Sequence, residues 1–189
     1  MRLVVSEFVT LDGVMEDPGG AEGFARGGWA FKFERGPEGD KFKLDELLAA
    51  DAMLLGRKTY DGFAKAWPSM TDEVGFADKM NSMPKYVVSR TLQSPEWNNS
   101  TVIHGDLVEA VGKLKAQPGG DLLVAGSGEI VHELEGHDLV DEYRLMVFPV
   151  ILGAGHRLFR GGVAAAPLKI VDVKPAGAVV ILTLHRAAG

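Results

Sequence analysis

Two stretches of the chain share one design, and together they restrict the fold more than any other feature of the sequence. Each is a run of strand-forming residues, then a glycine, then the opening of a helix. The first reads Ala52-Met53-Leu54-Leu55-Gly56-Arg57-Lys58-Thr59-Tyr60, the second Leu122-Leu123-Val124-Ala125-Gly126-Ser127-Gly128-Glu129-Ile130. A short continuous apolar run closed by a turn and followed by a helix is the pattern of a strand buried on both faces of a parallel sheet. Glycine lets backbone approach a ligand closely, and a helix N-terminus offers unpaired N–H groups with partial positive charge. Both features favour a phosphate, and two such turns suit a pyrophosphate. Either turn alone is ordinary punctuation. The second is also not the three-glycine dinucleotide fingerprint, because Val131 stands where the third glycine would be. The functional reading rests on the pair.

The rest of the chain extends the alternation. Residues 3–9 read as a strand ended by Thr10-Leu11-Asp12-Gly13, residues 85–89 and 101–104 as further strands, and residues 52–55 and 122–125 as the strands of the two glycine segments. Apolar spacing predicts helices over residues 40–50, 59–66 and 107–114, and another from residue 129 to 134; Trp67-Pro68 stops the second. Residues 16–39 are rich in glycine and interleaved with Phe24, Trp29, Phe31 and Phe33, which suits a functional or binding loop; its aromatic part, residues 24–33, is either a lid or pocket wall or a loop that covers the core. The last third changes character. Residues 142–151, 169–174 and 179–185 read as strands, the final pair joined by a turn at Pro175-Ala176-Gly177. The expectation is one α/β domain over residues 1–189, a mixed sheet with helices on its faces.

Composition excludes several classes. A formal net charge of −6 gives no electrostatic basis for a sequence-independent grip on nucleic acid, so any anion site must be built locally. There is no cysteine, hence no disulfide, thiolate metal site or thiol catalysis. The first residues turn polar at Ser6-Glu7, too soon for a secretory core, and no apolar run nears the roughly 18 residues of a membrane span. The reading is a soluble cytoplasmic protein with no membrane partner. His104, His132, His137, His156 and His185 show no ligand spacing, and no metal is expected. Ser127 lacks the flanking glycines of a hydrolase elbow, since Ala125 and Glu129 occupy those places.

At the first glycine turn, Arg57, Lys58 and Thr59 supply two cations and a hydroxyl, and a guanidinium pairs well with a 2′-phosphate or pyrophosphate oxygen. Ser89-Arg90-Thr91 places another hydroxyl and cation after a strand, where ligands of open α/β sheets collect. Asp12-Gly13 is turn chemistry by default.

These residues carry a family likeness. Leu54-Leu55-Gly56-Arg57-Lys58-Thr59-Tyr60 resembles the strand-to-helix cofactor segment of dihydrofolate reductases, and Ala125-Gly126-Ser127-Gly128 resembles their second glycine turn. Thr10-Leu11-Asp12-Gly13-Val14 and Phe148-Pro149-Val150-Ile151-Leu152-Gly153-Ala154-Gly155 are more similar to the reductase domain of riboflavin-biosynthesis enzymes and its free-standing relatives. The resemblance implies a dihydrofolate reductase-like fold, an eight-stranded, mostly parallel mixed sheet with antiparallel C-terminal strands, and bound NADPH. It implies phosphate contacts at Gly56, Arg57, Lys58 and Thr59, an adenosine end near Ser89 and Arg90, and a pyrophosphate wrapped by Gly126, Ser127, Gly128, Glu129 and Ile130. Thr10, Gly13, Val150, Leu152 and Gly153 would border the nicotinamide and a small-molecule substrate. Asp12 and Asp40 are the candidate acids for protonation; Asp40 equally suits the N-cap or first turn of its helix. Relatives of the riboflavin type are often dimers, so a homodimer using residues 148–159 is expected. The reading is an NADPH-dependent reductase of a small heterocyclic or carbonyl substrate; the alternative is a non-catalytic NADP(H)-binding sensor or assembly protein. Gly126→Val is expected to abolish cofactor binding while leaving the fold largely intact.

Overall fold

The computed structural model describes residues 1–162 and 164–187. Its strands are β1 (Arg2–Thr10), β2 (Ala50–Gly56), β3 (Lys85–Val88), β4 (Ser100–Ile103), β5 (Asp121–Val124), β6 (Glu142–Phe148), β7 (Leu168–Ala176) and β8 (Val179–Arg186). Its α-helices are α1 (Gly36–Ala49), α2 (Arg57–Ala66), α3 (Phe76–Ser82), α4 (Leu107–Lys115) and α5 (Gly128–Gly136). The strands form one sheet in the order β4-β3-β2-β5-β1-β6-β8-β7. Neighbours from β4 across to β6 pair in parallel, and β6–β8 and β7–β8 pair antiparallel. This is the mixed, mostly parallel sheet expected.

The central strands are apolar on both faces because both faces are covered. Leu3, Val5, Leu54 and Val124 pack with Leu107, Val111, Ile130 and Leu134 of α4 and α5. Their strand neighbours Val4, Met53, Leu55 and Leu123 point the other way and pack with Leu47 of α1, Tyr60 of α2 and Met80 of α3. A third cluster joins Trp29, Met146, Phe148, Val179 and Ile181.

The two edges of the parallel region differ. At the amino edge, charges close the sheet. Arg2 donates to Asp121 and Glu142, Arg144 donates to Asp121 and Glu142, and the His185 ring meets Glu142 at 2.6 Å. At the carboxyl edge glycine turns and loops stand instead, with separate ion pairs such as Arg57–Asp61 and Lys58–Glu22 among them.

Several boundaries depart from the sequence reading. Helix α1 starts at Gly36, with Pro37 in its first turn, four residues before the expected start. Asp40 is therefore neither an N-cap nor a first-turn acid. It lies in the second turn and pairs with Arg35 at 2.6 Å. Helix α3 was not expected; its start is set by Asp72, whose carboxylate accepts N–H bonds from Val74, Phe76 and Ala77. Strand β6 ends at Phe148 rather than at residue 151, because Pro149 has no N–H to continue the ladder. The last hairpin turns at Gly177-Ala178, with Pro175 and Ala176 inside β7, a place proline tolerates because β7 is an edge strand. Phe148 is 1% exposed and belongs to the core, so it cannot contribute the interface surface expected of it.

Candidate functional site

The site is built where two neighbouring strands part. β1 pairs with β5 only from Arg2 to Val5, while on its other side it stays paired with β6 from Val4 to Thr10. Past Val124 the chain leaves the line of β5 and turns toward β2, where Gly56 N–H donates to Gly126 O at 3.2 Å. A gap therefore opens beside the second half of β1, at the carboxyl edge, where α/β sheets collect ligands.

The two glycine turns pack directly on one another. A β-carbon at Gly56 would stand 2.5 Å from Ser127 Oγ, and one at Gly126 would stand 2.6 Å from Thr59 Oγ1. The sequence reading treated the turns as a pair, and the structure brings them into contact. Helices α2 and α5 start from Gly56 and Ser127 as N-caps, and neither receives a side-chain cap bond. Helix α4, by contrast, is capped by the Asp106 carboxylate. The first N–H groups of α2 and α5 are thus left for another acceptor.

The cations around these turns are held by carboxylates of the chain. Arg57 Nε pairs with Asp61 at 2.8 Å, and Lys58 pairs with Glu22 at 2.8 Å. Glu129 pairs with Arg160, which draws the Glu129 carboxyl below its usual value. Ile130 is buried in the core, so only its backbone faces the turn. Ser89 Oγ accepts N–H bonds from Thr91 and Leu92, which ties up this hydroxyl in its own turn and leaves Arg90 exposed beside it.

The loop after β1 and the segment after β6 form one unit. Leu11 N–H donates to Val150 O, and Leu158 N–H donates to Gly13 O. The Asp12 carboxylate accepts from Thr10 Oγ1 at 2.6 Å, Leu152 N at 3.2 Å and Gly153 N at 2.8 Å. The Thr10 hydroxyl, followed by the two backbone donors, holds the Asp12 carboxyl down at about 2. Asp12 is an ionised tether at neutral pH. Thr10, Gly13, Val150, Leu152 and Gly153 are brought together, as the sequence reading required.

Beside this unit lies a cleft of about 510 Å³, lined by Phe8, Phe33 and Phe148 with Arg35, Glu34 and Asp40 at its polar side. That volume falls within the range of small-molecule sites. Phe8 and Phe148 sit 5.2 Å apart, and Arg35 lies over the Phe8 ring. The 24–33 stretch covers the core with some of its aromatic residues and lines the cleft with others. Trp29 and Phe33 pack on Phe148, while Phe31 is 82% exposed at the cleft. Asp40 lines the cleft; Asp12 does not.

Three residues of the site went unread in the sequence. Asp17 is buried, and its carboxylate accepts from Glu22 N and Phe24 N, folding the glycine-rich loop around itself. Arg160 stands over the start of α5, its guanidinium 3.2 Å from where a Gly128 β-carbon would be. Glu7 sits on β1 beside the gap with Oε1 sealed from solvent and without a hydrogen-bond partner. Burial pushes its carboxyl up to about 8. The signal was there: one acid in the run Leu3 to Val9, otherwise apolar but for Ser6. Among the described residues no three His, Asp or Glu converge as a metal set would.

With this geometry in hand, the chain belongs to the RibD C-terminal domain family, whose model matches residues 2–182. It is 30% identical over 191 residues to the uncharacterized protein YyaP of Bacillus subtilis (strain 168), covering all of this chain and 96% of that protein. It is 28% identical over 179 residues to the uncharacterized protein YwjB of the same organism, covering 95% and 94%. Among solved structures it is similar to a putative riboflavin biosynthesis protein from Shewanella sp. PV-4, with a TM-score of 0.78 at 21% identity over all of both chains. It is also similar to dihydrofolate reductase from Enterococcus faecalis complexed with NADP(H), with a TM-score of 0.59 at 16% identity over 99% and 97% of the chains. The fold is dihydrofolate reductase-like, as the sequence motifs implied.

Proposed function

We propose that the chain binds NADPH along the carboxyl edge of β2, β5 and β1 and serves as a reductase of a small, flat substrate held in the aromatic cleft. The observation that carries this reading is the contact of the two glycine turns, each opening a helix whose first N–H groups lack a side-chain cap. A β-carbon at Gly56 or Gly126 would strike Ser127 or Thr59 of the facing turn, so glycine is what lets the two helix starts lie side by side. The fit is therefore to an extended diphosphate lying across both helix starts. Placement of the turns beside a forked sheet edge, and a similar fold seen complexed with NADP(H), support a dinucleotide in particular.

In this reading the backbone N–H groups of residues 126–130 and Thr59 hold the diphosphate. Arg57, released from Asp61, pairs with the 2′-phosphate, Lys58 adds charge, and Ser89 supports the turn that presents Arg90 to the adenosine end. Bound NADPH supplies hydride. The chain supplies position and exclusion of water. Phe8 and Phe33, backed by the buried Phe148, give an apolar wall suited to a heterocyclic or conjugated carbonyl substrate, with Arg35 and Asp40 to orient its polar edge. Asp12, ionised and fully engaged, keeps the 10–14 loop joined to Val150, Leu152 and Gly153 around the gap. Asp40 is the better placed of the two acids for handling a proton.

The test is a titration of the purified chain with NADPH and NADH, followed by energy transfer from its three tryptophans to the reduced cofactor. The expected result is saturation with preference for NADPH. Oxidation of NADPH is then measured against a panel of pterins, quinones and pyrimidinones; turnover of none, despite tight binding, would favour the sensor alternative.

A further inference from the structure

Glu7, half-buried with one carboxyl oxygen sealed from solvent, is the acid at the gap that the proposed reading leaves without work. Successive residues of a strand face opposite sides of the sheet. Phe8 lines the aromatic cleft on one face, so the gap beside the second half of β1 has that cleft on one side and Glu7 on the other. The Gly126 backbone lies close enough to favour the ionised Glu7 carboxyl, against the larger opposing effect of burial, while Oε1 is sealed and unpartnered. Among the described residues Glu7 has no ion-pair partner. The charged groups that act on it are Lys43 and Glu46 of α1, which bond to each other, and Glu22, which is paired with Lys58. An orphaned carboxyl oxygen in such a place costs stability unless a ligand donor meets it.

We propose that Glu7 is a cofactor-binding residue at the nicotinamide end of the site, and that its protonation state sets the preference between reduced and oxidised cofactor. The inference rests on the dinucleotide reading above. A neutral acid is matched to the neutral dihydronicotinamide and its carboxamide. A carboxylate is matched to the cationic ring of the oxidised form, because an opposite charge nearby favours the ionised acid. Burial keeps the acid protonated at neutral pH in the free protein. Binding of NADP+ then expels a proton and binding of NADPH does not. By linkage, affinity for NADP+ rises as pH rises, relative to affinity for NADPH.

The experiment measures dissociation constants for NADP+ and NADPH by calorimetry from pH 6.5 to 9, in the wild-type chain and in Glu7→Gln. The ratio of the two constants is the readout, because both cofactors carry the same phosphates and their titrations cancel. In the wild type the ratio is expected to shift toward NADP+ by about tenfold across that range, as a change of one pK unit implies. In Glu7→Gln it is expected to stay flat. A ratio independent of pH in the wild type, with both cofactors binding, overturns the role of Glu7 and leaves the cofactor reading standing. A pH-dependent ratio that persists in Glu7→Gln overturns it as well. Failure of both cofactors to bind the wild type overturns both readings; binding of NADPH alone at every pH overturns the role of Glu7 only. The wild-type measurement decides even if the variant does not fold.

Discussion

At Gly126 the backbone has φ +88°, and a β-carbon there would stand 2.6 Å from Thr59 Oγ1 and 3.2 Å from Thr59 Cγ2. The expectation that Gly126→Val spares the fold is thereby overturned: the substitution combines an unfavourable backbone conformation with a clash against a neighbouring turn. It should cost about 2–4 kcal/mol of stability, read from urea unfolding. Stability equal to wild type would mean that the two turns do not need this close contact. Asp12 yields a prediction whose sign follows from its titration. Its folded value of about 2 lies below the ordinary 3.8, so its stabilisation is present above that ordinary value and is lost as pH falls through 2. Asp12→Asn should destabilise the chain by about 1–2 kcal/mol at pH 7, with the deficit shrinking as pH falls toward the folded value and gone only below it. A deficit that does not shrink with falling pH would show that shape, not charge, ties the two loops. The sequence showed Asp12 as half of a turn pair and, through the resemblance, as a candidate acid, but not as a tether. Its tether reaches Leu152 and Gly153, some 140 residues away, and no local pattern reports a contact of that range.

Among the elements, α2 and α5 were legible because each joins an apolar run to a glycine, and both lie where the sequence reading put them to within two residues. Helix α1 was misplaced because Gly36 and Pro37 look like loop residues. Proline in a first turn starts a helix, however, and Gly36 takes φ +63° against the Gly177 turn of the last hairpin. Helix α3 was missed since its seven residues, Phe76–Ser82, are too few for a periodic signal. The N-terminus of α2 carries the sharpest prediction at this scale. Arg57→Ala should weaken NADPH binding by roughly tenfold more than NADH binding, given the 1.5–3 kcal/mol of a hydrogen bond to a charged group. Asp61→Ala, which frees Arg57 from its partner, should strengthen NADPH binding. Equal loss for both cofactors in Arg57→Ala would remove the 2′-phosphate from its role.

Over the whole molecule, the order β4-β3-β2-β5-β1-β6-β8-β7 explains why one half of the site was readable and the other was not. The half that the proposed reading assigns to phosphates comes from strand–turn–helix units, each written in consecutive residues. The cleft is assembled from Phe8 on β1, Phe33 in the long loop, Asp40 on α1 and Phe148 on β6, which meet only once the sheet has formed. Glu7 belongs to the same category. Its chemistry comes from the parting of β1 from β5, and no residue adjacent to it in sequence signals that event. The amino edge, by contrast, is closed by Arg2, Arg144, Asp121 and Glu142, so the sheet has one edge braced by charge and one left to the turns. The account stands or falls on what those turns hold. Titration of the wild-type chain with NADPH and with NADH tests it most directly: saturable binding with a clear preference for NADPH is the predicted result, and binding of neither would contradict it.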